Sequence, residues 1–201
     1  MNLYVFGDSI SQGYFDRRGG WVARLWEPVV DTGRATQHYI YNVSISGDIT
    51  RDVLQRFEPE ARRRGIEQYP SVVVIATGVN DAFRNDSGLR RALDSTESDL
   101  RDLVDEAREH AETVVLMGCT PVDPEDNLVP NTGYRIRNKD LERIDDLKRR
   151  LSECRNGVDF VELHARLDTG SFSWHDGIHP DTDGHRRIYE AVREPLTSHL
   201  E

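Results

Sequence analysis

Cysteine is scarce in the sequence, and long apolar runs are missing. Only two of the 201 residues are cysteine, Cys119 and Cys154, which is too few for a disulfide framework and does not fit the spacing of a thiolate metal site. We therefore expect both to be small buried residues. No apolar run approaches the roughly 18 residues that cross a bilayer, so we expect no transmembrane segment. The opening residues MNLYVFGDS contain no basic stretch and no small-residue cleavage site, so we also expect no secretory leader and a cytoplasmic protein.

Lysine is also scarce, and acidic residues outnumber basic ones. The chain has 26 basic residues against 36 acidic ones, for a net charge of −10, and only Lys139 and Lys148 are lysines. Such a charge repels phosphate backbones and anionic membranes, so we expect a small-molecule partner rather than a nucleic acid or a membrane. The acid excess, the few lysines and the preference for aspartate over glutamate resemble proteins of salt-accumulating organisms. An arginine-rich composition from a high-GC genome is the alternative, although it does not explain the net charge.

Five short β-branched or apolar runs recur along the chain, at 3–6, 38–45, 71–77, 113–118 and 158–163. Several lack the alternation of a half-exposed strand, as expected for parallel strands that helices bury on both faces. Helical spacing fills the intervals, clearly over 89–107 and 141–154 and more weakly over 20–29, 48–64 and 182–194, where Pro195 should end the last helix. This alternation predicts an α/β fold with an open, five-stranded parallel sheet and helices on both faces, in one domain over residues 1–201.

Polar or glycine-containing segments follow four of the five predicted strands. They are Gly7-Asp8-Ser9-Ile10-Ser11-Gln12-Gly13, Ser46-Gly47-Asp48, Gly78-Val79-Asn80-Asp81 and Asp176-Gly177-Ile178-His179-Pro180. Each alone is a common turn or helix cap. Because ligands of open α/β sheets bind beyond the carboxyl ends of the strands, the four segments belong at one edge. Together they supply a hydroxyl nucleophile, a base, an acid that orients the base, and oxyanion donors.

The same four segments resemble the SGNH or GDSL-type serine esterases and lipases. GDSIS, the isolated Gly47, GVND and DGIHP occur in the family's order between Phe6 and Pro180, with Ile10 where leucine is frequent. The resemblance implies a three-layer α/β/α, flavodoxin-like fold and ester hydrolysis through an acyl-enzyme, with no cofactor or metal. The G-x-S-x-G elbow of the larger α/β-hydrolases is absent around Ser9, which argues against that fold.

The resemblance also assigns roles to individual residues. It places the nucleophile at Ser9, the base at His179 and the orienting acid at Asp176. The oxyanion donors would be the backbone N–H groups of Ser9 and Gly47 and the side-chain amide of Asn80. The residue types suit these roles: Asp176 lies three residues before His179, so one turn of chain can bring the carboxylate to the imidazole and fix its tautomer. Glycine lets backbone approach the substrate oxygen, and an asparagine amide stays neutral at every relevant pH.

Two other functions are compatible with parts of the sequence. A metal-dependent hydrolase would use the cluster of six residues between positions 175 and 185, namely His175, Asp176, His179, Asp181, Asp183 and His185. Pro180 interrupts the helix that would align such ligands, and a metal site leaves GDSIS, Gly47 and GVND unexplained. The second alternative is a non-catalytic module that binds a sugar or an acyl group at the same edge.

The irregular stretch Thr120–Asn138 contains three prolines and several acids. A substrate-side loop and a surface excursion fit it equally well. No apolar lid segment follows any motif, and a polar rim disfavours an oil interface. We therefore expect the substrate to be a small, soluble ester of a short acyl chain, from acetyl to butyryl.

Overall fold

A parallel sheet forms the centre of the structure, a computed structural model that describes residues 2–27, 38–129, 132–167 and 170–200. In chain order the strands are β1 (Asn2–Gly7), β2 (Tyr39–Asn42), β3 (Ser71–Ala76), β4 (Arg84–Asn85), β5 (Gly88–Leu89), β6 (Thr113–Met117) and β7 (Val158–Val161). Five of them pair in parallel in the order β2-β1-β3-β6-β7, and β4 with β5 forms a small antiparallel hairpin. The predicted five-stranded parallel sheet is confirmed.

The strand order places a topological switch point between β1 and β3. The chain leaves β1 for β2 on one side and then returns to form β3 on the other side of β1. All residues of β1 and β3 are buried, which explains why both runs are apolar without alternation. Connections that depart in opposite directions leave a crevice at the carboxyl ends of these two strands. The segments GDSIS and GVND begin there.

Helices cover both faces of the sheet. They are α1 (Ser9–Gln12), α2 (Gly20–Arg24), α3 (Thr50–Arg64), α4 (Leu93–His110), α5 (Asn138–Glu153) and α6 (Thr182–Thr197). Leu3 and Val5 of β1 face one apolar core, which α2 and α6 close, while Tyr4 and Phe6 face a second core closed by α3 and α4. Because alternate residues of one strand enter different cores, the fold has three layers, α/β/α, as predicted.

Several element boundaries differ from those predicted. Pro195 does not end the last helix, because α6 continues to Thr197. Proline cannot donate to the carbonyl of Ala191 four residues earlier, but Nη1 of Arg166 donates to that oxygen at 3.0 Å instead. The helix predicted over 89–107 begins only at Leu93, after β5. Of the helix predicted over 20–29, the structure has Gly20–Arg24 and, after a turn at Leu25, two further helical residues at 26 and 27, whereas positions 28 and 29 lie outside the described residues.

The two cysteines also differ from each other. Cys119 is buried as expected, whereas Cys154 is exposed, which the prediction had wrong. Cys154 is the residue that caps the carboxyl end of α5, directly after Glu153. In the described part of the chain, no helix is both long enough and apolar enough to cross a membrane.

Candidate active site

Ser9 lies in a short turn at the carboxyl end of β1. Asp8 caps the helix α1, since its Oδ1 accepts a hydrogen bond from the backbone N–H of Ile10 at 3.0 Å. A Cβ at Gly7 would come within 2.9 Å of the backbone oxygen of Ala76 in β3, so only glycine allows this close approach. The turn therefore fixes Ser9 at the switch point, with its Oγ 2.9 Å from Nε2 of His179.

Asp176 orients the ring of His179. Its Oδ2 lies 2.8 Å from Nδ1 of His179, and its Oδ1 accepts from the backbone N–H groups of Ile178 and His179 at 3.1 and 2.7 Å. Burial opposes the charge on Asp176, but these hydrogen bonds outweigh it and hold the pKa of Asp176 below its ordinary value. An ionised carboxylate only accepts, so Nδ1 of His179 carries the proton. Nε2 is then free to accept from the hydroxyl of Ser9.

The segment that carries Asp176 and His179 is a tight loop closed on itself. The backbone N–H of His175 donates to the carbonyl of His179 at 2.8 Å, and Trp174 bridges to Pro180. The loop needs glycine at position 177, where φ is +78° and a Cβ would lie 1.6 Å from the carbonyl oxygen of Asp126.

The first part of the irregular stretch, residues 120–129, packs against this loop. The backbone N–H of Asp123 donates to the carbonyl of Gly177 at 2.8 Å, and Nε1 of Trp174 donates to the carbonyl of Pro121 at 2.9 Å. Of the two interpretations that the sequence allowed, these contacts favour a substrate-side loop.

Gly47 and Asn80 meet on the other side of the switch point. The side-chain amide of Asn80 donates to the carbonyl of Asp48 at 3.0 Å, which ties the loop after β2 to the loop after β3. Gly47 has a φ of +84°, which favours glycine, whereas the space where a Cβ would lie is open. The backbone conformation, and not crowding by neighbours, therefore requires glycine at this position. Both residues line a cavity of about 510 Å³ whose remaining wall is Ile49, Asp52, Arg90, Arg91, Ala92 and Ser95.

Some residues around the site carry no local signal in the sequence. The buried carboxylate of Asp81 accepts from the backbone N–H of Thr50 at 2.9 Å and from its hydroxyl at 3.0 Å, which locks the start of α3 to the GVND segment. Behind that segment, Nζ of the fully buried Lys148 donates to the carbonyl of Met117 at 2.7 Å. These partners are far apart in sequence, and only the fold brings them together.

Tyr14 and Phe15 also border the site, although neither was predicted to do so. Both are exposed, and their rings lie beside His179. Two consecutive aromatic residues in an otherwise polar loop directly after GDSISQG were the available signal.

The six residues predicted as a possible metal cluster between positions 175 and 185 do not converge on one point, and several of them have separate structural roles. Asp181 caps α6, Asp183 pairs with Arg186, and the buried His185 bonds to the carbonyl of Tyr14. Among the residues that the structure describes, no three His, Cys, Asp or Glu side chains are grouped as a metal site requires. The alternative of a metal-dependent hydrolase thus gains no geometric support.

Several solved structures superpose on nearly the whole chain. TesA is 26% identical, with both chains covered in full and a TM-score of 0.74. The acetyl xylan esterase AlAXEase is 21% identical over 98% of this chain and 100% of its own, with a TM-score of 0.77. Axe2, an acetylxylan esterase from Geobacillus stearothermophilus, is 22% identical over 96% and 93%, with a TM-score of 0.73. At these identities the two xylan esterases establish a shared fold. No protein of curated function matches the sequence.

The sequence also matches a family model over most of its length. Residues 5–187 fit the GDSL-like Lipase/Acylhydrolase family. The matched range contains every segment at the switch point, from GDSIS to DGIHP. The predicted resemblance to the SGNH or GDSL-type esterases is therefore confirmed, and the chain belongs to the GDSL-like lipase/acylhydrolase family, as a carboxylic ester hydrolase.

Proposed function

We propose that this enzyme hydrolyses small esters of short acyl chains through an acyl-enzyme on Ser9. One observation carries the proposal: an unbroken hydrogen-bonded series from Ser9 Oγ through His179 to the carboxylate of Asp176, with heavy-atom distances of 2.9 and 2.8 Å. A serine hydroxyl is a weak nucleophile unless an oriented base removes its proton. This arrangement supplies the base, its tautomer and the charge that stabilises the imidazolium.

The reaction has two halves. Ser9 Oγ attacks the carbonyl carbon as its proton moves to Nε2 of His179, and the imidazolium then returns this proton to the oxygen of the departing alcohol. Water then gives a proton to the same nitrogen and attacks the acyl carbon. The bond between this carbon and Ser9 Oγ breaks, the imidazolium returns the proton to Oγ, and the acid leaves. Asp176 stays ionised throughout, which its lowered pKa favours.

Gly47, Asn80 and the backbone N–H of Ser9 are the proposed oxyanion donors. Asn80 commits one amide hydrogen to the carbonyl of Asp48, which orients the amide and leaves its second hydrogen for the substrate oxygen. Donors fixed in advance stabilise the charge that develops on this oxygen, and loss of one donor typically costs about 10²–10³ in turnover.

The walls around the proposed oxyanion donors favour short acyl groups. The adjoining cavity is lined by Asp52, Arg90, Arg91 and Ser95, so a long alkyl chain would lie against charged groups. Acetyl to butyryl chains avoid this cost. Two of the structural neighbours are acetyl xylan esterases, so acetylated carbohydrates belong among the first esters to be assayed.

The test is the Ser9→Ala variant, which removes one oxygen from the molecule. We expect it to lose at least about 10³-fold in kcat/KM on ethyl acetate and to bind no fluorophosphonate, because the nucleophile is gone. His179→Ala should lose as much, and Asp176→Asn less. Ser46→Ala is the matched control, since Ser46 is an exposed serine beside Gly47 whose hydroxyl has no assigned role.

Two outcomes would contradict the proposal. Hydrolysis by folded Ser9→Ala within a few-fold of wild type would exclude Ser9 as the nucleophile. Wild-type protein that binds acetylated sugars or acyl groups but neither hydrolyses esters nor reacts with a fluorophosphonate would indicate the non-catalytic binding module instead.

A further inference from the structure

Two exposed aromatic rings flank the imidazole of His179. Tyr14 and Phe15 expose 42% and 47% of their surface, so both rings are accessible to a molecule that reaches His179. The ring of Phe15 stacks on His175, with centroids 3.9 Å apart and planes 12° apart, and meets His179 edge-on at 5.4 Å. The ring of Tyr14 lies 6.1 Å from His179. We call Tyr14, Phe15 and His175 the aromatic wall.

The backbone of Phe15 is held in a strained conformation. Its φ of 62° is the only positive value at a non-glycine residue in the described part of the chain. A left-handed conformation is strained for a residue with a Cβ, and such strain persists only where the surroundings impose it. Relaxation of this φ would carry the ring away from His175 and His179.

Buried polar contacts on both sides of Phe15 impose the strain. Nε2 of His185, which is fully buried, donates to the carbonyl of Tyr14 at 2.9 Å. Burial is the main cause that lowers the pKa of His185, so its ring is neutral at pH 7. A neutral imidazole carries one N–H, and in His185 this is the Nε2–H that donates to Tyr14. On the other side, Asp16 forms a buried ion pair with Arg24 and accepts from the backbone N–H of Gly20 at 3.0 Å. The loop is thus fixed before any substrate arrives.

The proposed mechanism determines which part of an ester meets these rings. The carbonyl oxygen points towards Gly47 and Asn80, whereas the alcohol oxygen must lie within reach of Nε2 of His179, which returns the proton to it. The aromatic wall borders His179, while Gly47 and Asn80 line a cavity to which Tyr14, Phe15 and His175 do not contribute. The alcohol therefore extends along the wall and the acyl group does not.

We propose that the aromatic wall is a leaving-group subsite that selects esters of ring-bearing alcohols over esters of linear ones. This inference rests on the proposed function, because it takes the position of the alcohol from His179 as the base. Stacked or edge-on ring pairs add about 0.5–1.5 kcal/mol beyond the burial of area, which corresponds to about 2- to 12-fold in kcat/KM. A linear alkyl chain gains none of this ring-specific part.

The test compares esters that differ in one half only. Benzyl acetate and ethyl acetate report on the alcohol, and ethyl acetate and ethyl butyrate report on the acyl group. In Phe15→Gly, which removes the ring and tolerates a positive φ, we expect the ratio of kcat/KM for benzyl acetate to that for ethyl acetate to fall about fivefold or more. Phe15→Tyr keeps a ring and should keep the ratio within about twofold. Tyr69→Ala removes an exposed aromatic residue before β3 and should change neither rate.

Acyl transfer gives a second readout that a purely structural role would not change. Both acetates form the same acetyl-enzyme, which partitions between water and an added alcohol. Phe15→Gly should lower transfer to benzyl alcohol relative to ethanol by the same factor as the hydrolysis ratio, because the wall binds the alcohol in both directions. Should Phe15→Gly fail to fold, Tyr14→Leu offers the same comparison.

Each contrary outcome has a distinct meaning. Equal losses for benzyl and ethyl acetate, with unchanged partitioning, would overturn the subsite and leave Phe15 with a structural role. A change in the butyrate-to-acetate ratio alone would also overturn it, because it would place Phe15 against the acyl group. Absence of a fluorophosphonate adduct on wild-type Ser9 would instead contradict the proposed function itself.

Discussion

Asp8 is a buried acid directly beside the proposed nucleophile. Only 2% of its surface is exposed, and burial raises its pKa to about 6, although the N–H of Ile10 and the charges of His179 and Lys148 oppose the shift. The carboxylate caps the short helix that carries Ser9, so the turn needs a hydrogen-bond acceptor here. It does not need the charge, which is costly to bury.

We expect Asp8→Asn to be more stable than wild type at neutral pH. The folded protein holds the Asp8 proton up to about pH 6, whereas the unfolded chain releases it near the ordinary value of 3.8. Asp8 therefore makes its full contribution to the free energy of unfolding below about pH 4. This contribution is lost as the pH rises through 6, and the loss for the full pKa shift is about 3 kcal/mol. Asparagine caps as well and carries no charge, so urea unfolding at pH 7.5 should show a gain that disappears at pH 4.

Asp8→Ala is the control for the cap, because it removes the acceptor together with the charge. It should gain less at pH 7.5 than Asp8→Asn does, by about 1 kcal/mol. A gain in Asp8→Asn that is the same at both pH values would show that the charge of Asp8 is not its cause.

At the scale of single residues, the sequence was informative where partners are close along the chain. Asp176 and His179 are three residues apart, so their contact followed from spacing, and the family resemblance added Ser9, Gly47 and Asn80. The roles of these five residues remain proposals. The raised pKa of Asp8 results from its burial in the folded chain, and the strain at Phe15 depends on His185, which lies more than 100 residues away, so no local pattern encodes either.

At the scale of elements, the loop with Asp176 and His179 depends on its support by the stretch Thr120–Asn138. Gly177 has both a positive φ and the carbonyl of Asp126 where a Cβ would lie, so backbone strain and crowding act together. Gly133 has a similar φ, 71°, with open space around the missing Cβ, so only strain acts there. The pair separates the two effects.

We expect Gly177→Ala to lose at least about 10²-fold in kcat/KM and to be destabilised more than Gly133→Ala. The added methyl group must push Asp126 away, and this displaces the loop that positions His179, for which shifts of about 1 Å cost about 10²-fold. Gly133→Ala should lose only about 1–2 kcal/mol from strain and keep its activity. Ester hydrolysis and thermal unfolding of both variants measure the difference. Equal effects in the two variants would mean that the contact with Asp126 does not hold the site.

The same scale shows which elements a pattern can predict. The helices α4 and α5 have apolar residues at regular steps of three and four, and both were located correctly apart from their ends. The continuation of α6 through Pro195 was missed, since it depends on Arg166, a partner from another part of the chain. The contacts of the loop from Thr120 were left open for the same reason.

For the molecule as a whole, the net charge of −10 is the dominant surface property. Many exposed pairs, such as Arg62 with Glu58 and Arg186 with Glu190, connect neighbours on one helix. Exposed pairs of this kind stabilise proteins by only about 0–1 kcal/mol each. They do not remove the excess of ten negative charges, which repel one another in the folded state more than in the expanded chain.

We therefore expect the melting temperature to rise from low to molar potassium chloride. At 1 M salt the Debye length falls to about 3 Å, so repulsion between surface acids is largely screened. Salt also screens the exposed ion pairs, but these stabilise the fold so weakly that their loss matters little. Potassium chloride is preferred to sulfate, since sulfate also strengthens apolar burial.

The double variant Asp102→Asn, Glu109→Gln removes two exposed acids that have no ion-pair partner within the described residues. It should melt higher than wild type at low salt and gain less from added salt. A melting temperature that stays flat or falls with potassium chloride would show that repulsion among the acids does not limit stability, and the acidic composition would then have no energetic role in the fold.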